Sequence, residues 1–186
     1  DWSSDVCSSD LGERQLRSDR RRVIPPPLDH LWSPWRYRYV STASPSNACI
    51  FCTKPAAGDD QGNYIVLRAE RNFVLLNLYP YTNGHLMIAP YEHVDSLTKA
   101  HPETVAEMMR LAVRCEQALR DLYKPDGINL GMNLGEAAGA GVAGHIHMHM
   151  LPRWAGDASF MSTIAETRVL PEELRVTWER LKKALE

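Results

Sequence analysis

The sequence predicts a single α+β domain with a mainly antiparallel sheet, one long helix and a C-terminal helix. The chain has 186 residues, which is enough for one ordinary core and too few for two unless both are small. Three short apolar segments, separated by turn residues, occupy positions 64 to 89 in the manner of an antiparallel meander. A long amphipathic segment and two further strands follow, and this order favours an α+β arrangement.

The meander consists of three predicted strands, over 64–67, 72–78 and 85–89. Apolar residues dominate each segment, and the residues between them are of the kinds that form turns. The dipeptide Asn83-Gly84 ends the last of these segments between strands. It predicts a tight turn, because Asn and Gly accept positive φ. We therefore expect the second and third strands to form a hairpin.

The long helix is predicted from Pro102 to Tyr123. Pro suits a first helical turn, and apolar residues recur every three or four positions on one face. These residues are Val105, Met108, Ala112, Cys115, Leu119 and Leu122. Two strands, over 127–133 and 145–151, then flank a Gly/Ala-rich loop at 135–144, and an amphipathic helix over 171–185 closes the chain.

Residues 1–22 are polar and show neither helical nor strand periodicity, so we interpret them as a disordered or non-native leader and assign the domain to 23–186. Lys and Arg number 21 against 23 Asp and Glu, a balance that does not attract nucleic acid. No apolar run is long enough to suggest a membrane protein. Four cysteines do not make a disulfide scaffold, which favours a reducing, cytoplasmic compartment.

Histidines alternate with large apolar residues in the segment 145–150. The histidines are His145, His147 and His149, and the apolar residues are Ile146, Met148 and Met150. Successive side chains of a strand point to opposite faces, so the three imidazoles share one face. A solvent-facing row would more naturally carry Lys, Glu or Thr, and we therefore expect one face to be core and the other a functional site.

Two chemistries can use such a row of imidazoles. Several histidines can converge on zinc and leave a position open for water, or a neutral imidazole nitrogen can attack phosphorus and form a covalent intermediate. The loop at 136–144 that precedes the row lets backbone N–H groups approach an anion closely, which favours phosphate. This loop has neither the Lys of a P-loop nor a following helix, so both common nucleotide-loop motifs are disfavoured.

The row His145-x-His147-x-His149, followed by apolar residues and Pro152-Arg153, resembles the signature of the histidine-triad superfamily of nucleotide hydrolases and transferases. Further similar segments are Cys49-Ile50-Phe51-Cys52, Leu75 to Pro80, Gly84-His85, Pro90-x-x-His93 and Gly131-x-Asn133. Residues 77–81, 133–135 and 152–157, with Phe160, are most similar to the branch of diadenosine tetraphosphate phosphorylases, also called ATP adenylyltransferase-like. The resemblance implies a histidine-triad fold, an adenine nucleotide substrate, phosphate and a homodimer.

The resemblance also implies roles for individual residues. His147 would attack an α-phosphorus and carry the nucleotidyl group, His149 would bind phosphate oxygens and position the leaving group, and His145 would support the strand from its start. Asn77 would bind ribose. The base pocket would be lined by Ile50, Phe51, Leu75 and Met87, with His85 at its edge, and Asn133, Gly139, Ala140, Gly141 and Trp154 would lie at the phosphates.

Cys49 and Cys52 are spaced as Cys-x-x-Cys, which by itself fits a redox dithiol, half of a zinc site or two buried small residues. The resemblance implies that His93 and His145 join them in a structural zinc site of the Cys₂His₂ type. The chemistry would need no cofactor.

The leading hypothesis is phosphorolysis of diadenosine tetraphosphate to ADP and ATP through a nucleotidyl-histidine. The loop before the row has Gly, Val and Ala where family members offer Gln, Ser or Thr, so a side-chain donor to phosphate is missing. Water as the acceptor therefore stays open, which would make the protein a hydrolase of dinucleoside polyphosphates or nucleoside phosphoramidates. A zinc-stabilised nucleotide-binding module with little turnover, and an enzyme that uses the row as zinc ligands, are further alternatives.

Overall fold

The structure is a computed structural model that describes residues 48–157 and 170–186. The expectations for the leader, for Phe160 and for the start of the domain lie outside these residues. The described chain forms one five-stranded sheet with the strand order β1-β2-β3-β5-β4, and every pairing is antiparallel. The predicted α+β fold class is confirmed.

The described helices and strands follow one another in a simple order. They are α1 (Ile50–Ala56), β1 (Ile65–Arg68), β2 (Asn72–Leu76), β3 (Leu86–Pro90), α2 (Pro102–Tyr123), β4 (Gly127–Met132), a 3₁₀ turn (Glu136–Ala138), β5 (Met148–Arg153) and α3 (Leu174–Leu185). The long helix has the predicted bounds, and α3 begins three residues later than expected. Among the described helices none combines the length and apolar character needed to cross a membrane.

The sheet is buried on both faces, and different helices cover them. On one face Val74 and Ile88 pack with residues of α2 and α3, which include Cys115 and Leu181. On the other face Phe73, Leu75 and Met87 pack with Phe51 of α1. Every residue of β2 and β3 is buried, because both strands lie inside the sheet.

The first helix was not predicted from the sequence. It has only seven residues and contains Pro55, so it is too short for a helical period to be recognised. This helix nevertheless forms part of the site, because it places Phe51 against the face of the sheet that carries the histidines.

Gly84 ends the turn before β3 with a φ of +76°, as the Asn-Gly dipeptide predicts. A Cβ atom at this position would lie 3.0 Å from Cδ2 of Leu119 and 3.1 Å from Cε2 of Tyr123. The turn therefore needs glycine both for its backbone conformation and for its close approach to α2.

Candidate active site

The histidine row runs from the segment before β5 into the strand, and its alternation is as predicted. Ile146 and Met150 are buried in the core beneath α2, whereas His145 and His147 are 1% and 4% exposed against α1 on the other face of the sheet. The strand itself begins only at Met148, three residues later than expected. The N–H group of Ile146 donates to the carbonyl oxygen of Val94 at 2.8 Å, which takes this segment out of the sheet ladder.

His147 is held in one tautomer by the backbone. Its Nδ1 atom lies 2.9 Å from the carbonyl oxygen of His145, and because a carbonyl only accepts, Nδ1 carries the proton and Nε2 carries the lone pair. Burial lowers the pKa of His147, although the bond to His145 acts in the opposite direction. The ring also stacks on Phe51, with centroids 4.7 Å apart. The result is a neutral imidazole with a fixed orientation, whose Nε2 carries the lone pair.

A chain of hydrogen bonds sets the opposite tautomer in His149. The N–H group of Tyr81 donates to Nδ1 of His85 at 3.2 Å, so the proton of His85 is on Nε2. That nitrogen lies 2.9 Å from Nδ1 of His149 and donates to it, which leaves the proton of His149 on Nε2. Burial, and then the repulsion that a protonated His147 would exert, lower the pKa of His149 to about 4, so this ring is a neutral N–H donor at pH 7.

His85, which the resemblance placed at the edge of a base pocket, lies beside the histidine row. It is 1% exposed and connects Tyr81 to His149. The side-chain nitrogen of Asn77, the expected ribose ligand, lies 3.4 Å from Nδ1 of His85. The pairing of Met87 with His149 across β3 and β5 brings His85 to the histidine row, and no local sequence pattern reports such a pairing.

Four side chains form a compact group beside the row. The Sγ atom of Cys49 lies 3.3 Å from Nδ1 of His145, Sγ of Cys52 lies 3.3 Å from Nδ1 of His93, and the two Nδ1 atoms are 3.3 Å apart. All four ligand atoms lie within 4.8 Å of one another. Ligands about 2.0 to 2.3 Å from a tetrahedral zinc ion lie about 3.3 to 3.8 Å apart. The separations of 3.3 to 3.6 Å among these atoms fall in that range, so the group could hold a zinc ion.

The orientation of His145 also suits a metal. Its Nε2 atom lies 2.9 Å from the carbonyl oxygen of Pro90 and must donate to it, so Nδ1 presents its lone pair to the two sulfurs. Burial, together with the hydrogen bond and the charge of Cys49, raises the pKa of the Cys52 thiol. A cation bound here would make both sulfurs thiolates by displacing their protons.

The expected base-pocket residues lie at different depths. Phe51, Leu75 and Met87 pack in one buried cluster on the histidine face of the sheet, while Ile50 is 39% exposed at the start of α1. The structure therefore brings three of the four residues together. Leu75 and Met87 are paired across β2 and β3, which places both beneath Phe51.

The residues expected at the phosphates lie on two segments. The side-chain amide of Asn133 donates to the carbonyl oxygen of Gly139 at 3.3 Å and so ties the end of β4 to the loop. Ala140 and Gly141 continue this loop, in which Gly139 has a φ of +87°. Trp154 is half-buried after β5, where Arg153 forms an ion pair with Asp157. These contacts order both segments.

Fold and site together define the class to which the chain belongs. The family model of the HIT domain, named for its histidine triad, matches residues 60–156, and this chain belongs to that family. The chain is 37% identical over 158 residues to a protein named AP-4-A phosphorylase from Mycobacterium tuberculosis H37Rv, an alignment that covers 81% of this chain and 80% of that protein.

Two solved structures give the same result. A Zn-bound histidine triad family protein from Mycobacterium smegmatis has a TM-score of 0.62 and 32% identity, and the match covers 75% of this chain and 94% of that one. A histidine triad nucleotide-binding protein from Sulfolobus tokodaii has a TM-score of 0.60 and 26% identity, with coverage of 74% and 91%. The predicted histidine-triad resemblance is confirmed.

Proposed function

We propose that the protein is a nucleotidyltransferase that cleaves dinucleoside polyphosphates, with diadenosine tetraphosphate as substrate and inorganic phosphate as acceptor. The observation that carries the proposal is the orientation of His147, whose Nδ1–H group bonds to the carbonyl oxygen of His145 and whose Nε2 carries the lone pair. The 37% identity to a protein named AP-4-A phosphorylase supports this choice of substrate.

In the first step Nε2 of His147 attacks the α-phosphorus of diadenosine tetraphosphate. The N–P bond forms, the bond from that phosphorus to the bridging oxygen breaks, and ATP leaves. The ring then carries phosphorus on Nε2 and a proton on Nδ1, so it is cationic, and the carbonyl oxygen of His145 stabilises that charge. The Nε2–H group of His149 donates to the phosphate oxygens on which negative charge develops.

In the second step an oxygen of inorganic phosphate attacks the same phosphorus. The P–N bond breaks, the adenylyl group becomes ADP, and His147 returns to its neutral state with the lone pair on Nε2. Burial keeps His149 neutral, so its role in both steps is to donate a hydrogen bond. Splitting one displacement into two in this way lowers the barrier of each.

We assign the nucleotide to the histidine face of the sheet. Phe51, Leu75 and Met87 offer an apolar surface there that suits an adenine ring, Ile50 lies at its exposed edge, and Asn77 supplies a polar group for ribose. The loop residues Asn133 and Gly139 to Gly141 supply backbone N–H groups for phosphate in place of the missing side-chain donor. Trp154 borders this part of the site.

Cys49, Cys52, His93 and His145 would hold a structural zinc ion, because two thiols and two imidazoles at this spacing are a common zinc ligand set. The ion would supply a rigid connection between α1 and the start of the histidine row. Elemental analysis of the purified protein tests this assignment, with one zinc per chain expected and its loss expected in Cys52→Ser.

The decisive experiment is product analysis. Purified protein is incubated with diadenosine tetraphosphate in the presence and absence of inorganic phosphate, and the nucleotides are separated by anion exchange. We expect ADP and ATP only when phosphate is present, and no turnover with His147→Asn. His101→Asn is the matched control, because His101 caps α2 far along the chain from the row and asparagine preserves the cap.

Other product patterns identify the competing functions. AMP and ATP formed without phosphate would show a hydrolase and contradict phosphate as the acceptor, and cleavage of a nucleoside phosphoramidate would point the same way. Nucleotide binding without turnover would replace the enzyme by a zinc-stabilised binding module. Full activity of His147→Asn would overturn the covalent mechanism.

We further propose a homodimer in a reducing, cytoplasmic compartment. In the described part of the chain β4 forms one edge of the sheet, and Leu130 on this strand is 46% exposed. On α2, Met109 and Val113 are 46% and 66% exposed one turn apart. Light scattering after size exclusion tests the dimer, and Val113→Glu is expected to yield monomers. The free thiols of the described cysteines agree with a reducing compartment.

A further inference from the structure

The four-residue Cys/His group contacts His147 through two separate routes. His145 directs its ring to the two sulfurs and its carbonyl oxygen to Nδ1 of His147, so any rotation of this residue changes both contacts. Phe51 lies between the two cysteines in the chain. Its ring packs against the ring of His145 in a tilted arrangement, with centroids 5.3 Å apart, and stacks on the ring of His147, with centroids 4.7 Å apart. The position of the nucleophile therefore depends on the positions of the two cysteines.

The two cysteines are arranged so that they can reach each other. Cys49 precedes the first residue of α1 and Cys52 lies in its first turn, where the N–H group of Cys52 donates to the carbonyl oxygen of Cys49 at 3.0 Å. Their sulfurs are within 4.8 Å, and a disulfide needs about 2.0 Å. A side-chain rotation with a small shift of the first turn brings them together.

A small oxidant has access to this pair. Both cysteines are half-buried and His93 is exposed, so the group opens to solvent on that side. Cys115, by contrast, is fully buried on α2, and burial raises its pKa to about 12, which keeps it an unreactive thiol.

We propose that Cys49 and Cys52 are an oxidisable dithiol, and that hydrogen peroxide closes it into a disulfide that expels the bound metal and misplaces His147. The two sulfurs together lose two electrons, and the peroxide gains them and is reduced to two molecules of water. The protons come from the two thiols, or from solvent when the sulfurs are metal thiolates. A thiol reductant reverses the reaction. The effect on catalysis rests on the proposed role of His147.

Disulfide formation removes both sulfur ligands from the metal site at once. His93 and His145 alone do not retain zinc against dilution, so the ion leaves. The first turn of α1 moves with the sulfurs, and Phe51 moves with it. A displacement of about 1 Å at a reacting group lowers a rate by as much as about a hundredfold, so we expect transfer to fall by roughly tenfold to a hundredfold.

The test uses the full chain in a Cys7→Ala, Cys115→Ala background, which leaves only this pair of cysteines. The zinc-loaded protein is treated with hydrogen peroxide, and zinc release is followed with a chromogenic chelator, free thiols by titration and the disulfide by peptide mass. We expect zinc and two thiols to be lost together, transfer to fall, and dithiothreitol with zinc to restore both. Cys49→Ser in the same background cannot form the disulfide; because it also lacks one of the four metal-site residues, its transfer after peroxide is compared with its own transfer before treatment, and we expect no further loss that dithiothreitol restores.

A readout independent of turnover separates this inference from the proposed function. Long-range ¹H–¹⁵N spectra report which nitrogen of His147 carries the proton, and we expect the Nδ1–H tautomer to be lost on oxidation and regained on reduction. Peroxide that leaves zinc and thiols in place, or a disulfide that leaves the His147 spectrum unchanged, would overturn the inference. Equal loss of transfer in Cys49→Ser would overturn it too. Absence of transfer before treatment refutes only the proposed function.

Discussion

His149 is half-buried and neutral, and this should make the stability of the protein depend on pH. Burial, and then the repulsion that a protonated His147 would exert, lower its pKa to about 4, whereas an unfolded histidine has a pKa of about 6.5. As the pH falls below that value the unfolded chain takes up a proton and the native chain does not, so stability is lost on acidification until the pH reaches the folded pKa. Between pH 7 and pH 5 the loss is about 2 kcal/mol.

His149→Asn isolates this contribution. The rings that face His149 are those of His85, His147 and Tyr81, and all of them remain in the variant. Asparagine still offers an oxygen to the Nε2–H group of His85, but it does not titrate. The difference between the two proteins therefore reports the titration of His149 together with its coupling to His147.

The assay is urea unfolding followed by tryptophan fluorescence, on reduced protein kept free of metal with a chelator, at pH 8, 7 and 5. We expect the wild-type protein to lose about 2 kcal/mol more than His149→Asn between pH 7 and pH 5. Between pH 8 and pH 7 the two should change equally, because both pKa values of His149 lie below that range. Parallel losses down to pH 5 would refute the reasoning.

Three further predictions concern the frame around the site, and urea unfolding at pH 7 measures each. Gly84→Ala should lower the free energy of unfolding by about 2 kcal/mol, because of its positive φ and its contacts with α2. Gly58→Ala also has positive φ but open space around it, so an equal loss there would show that crowding contributes nothing. Trp178→Phe should lower the free energy of unfolding by about 1 to 2 kcal/mol, since Nε1–H donates to the carbonyl oxygen of Ile65 at 2.9 Å. An unchanged free energy would show that this bond does not stabilise the fold. Tyr123→Phe should cost about 1 kcal/mol by removing the hydroxyl that donates to Glu172 at 2.6 Å, and equal stability would mean that this bond does not help to dock α3.

The histidine segment owes some of its features to its own sequence and others to distant parts of the chain. The alternation of imidazoles and apolar residues in 145–150 was readable because side chains of an extended chain change face at every residue. The same segment was predicted to be a strand from its first histidine, yet Ile146 bonds to Val94 instead of the ladder. The extended conformation of this segment follows from its local sequence, but the residue with which its backbone forms hydrogen bonds does not.

The metal group shows the same division. The sequence supplied the Cys49-x-x-Cys52 spacing and left its meaning open, and the family resemblance proposed His93 and His145 as the other ligands. Only the folded chain brings all four ligand atoms within 4.8 Å, since α1, the segment after β3 and the segment before β5 must converge. The stacking of Phe51 on His147 follows from that convergence and has no signature of its own.

The sequence by itself determined the fold class, the bounds of the long helix and the face of the chain that carries the three histidines, because each depends on a period of about two or 3.6 residues along one segment. The tertiary structure alone decided what each histidine can do. The register that pairs Met87 with His149 brings His85 to His149, and the carbonyl of His145 fixes the proton of His147. The register is set by the packing of segments far apart in the chain. The bond between His145 and His147 spans only two residues, but the segment that forms it is held by the long-range bond from Ile146 to Val94.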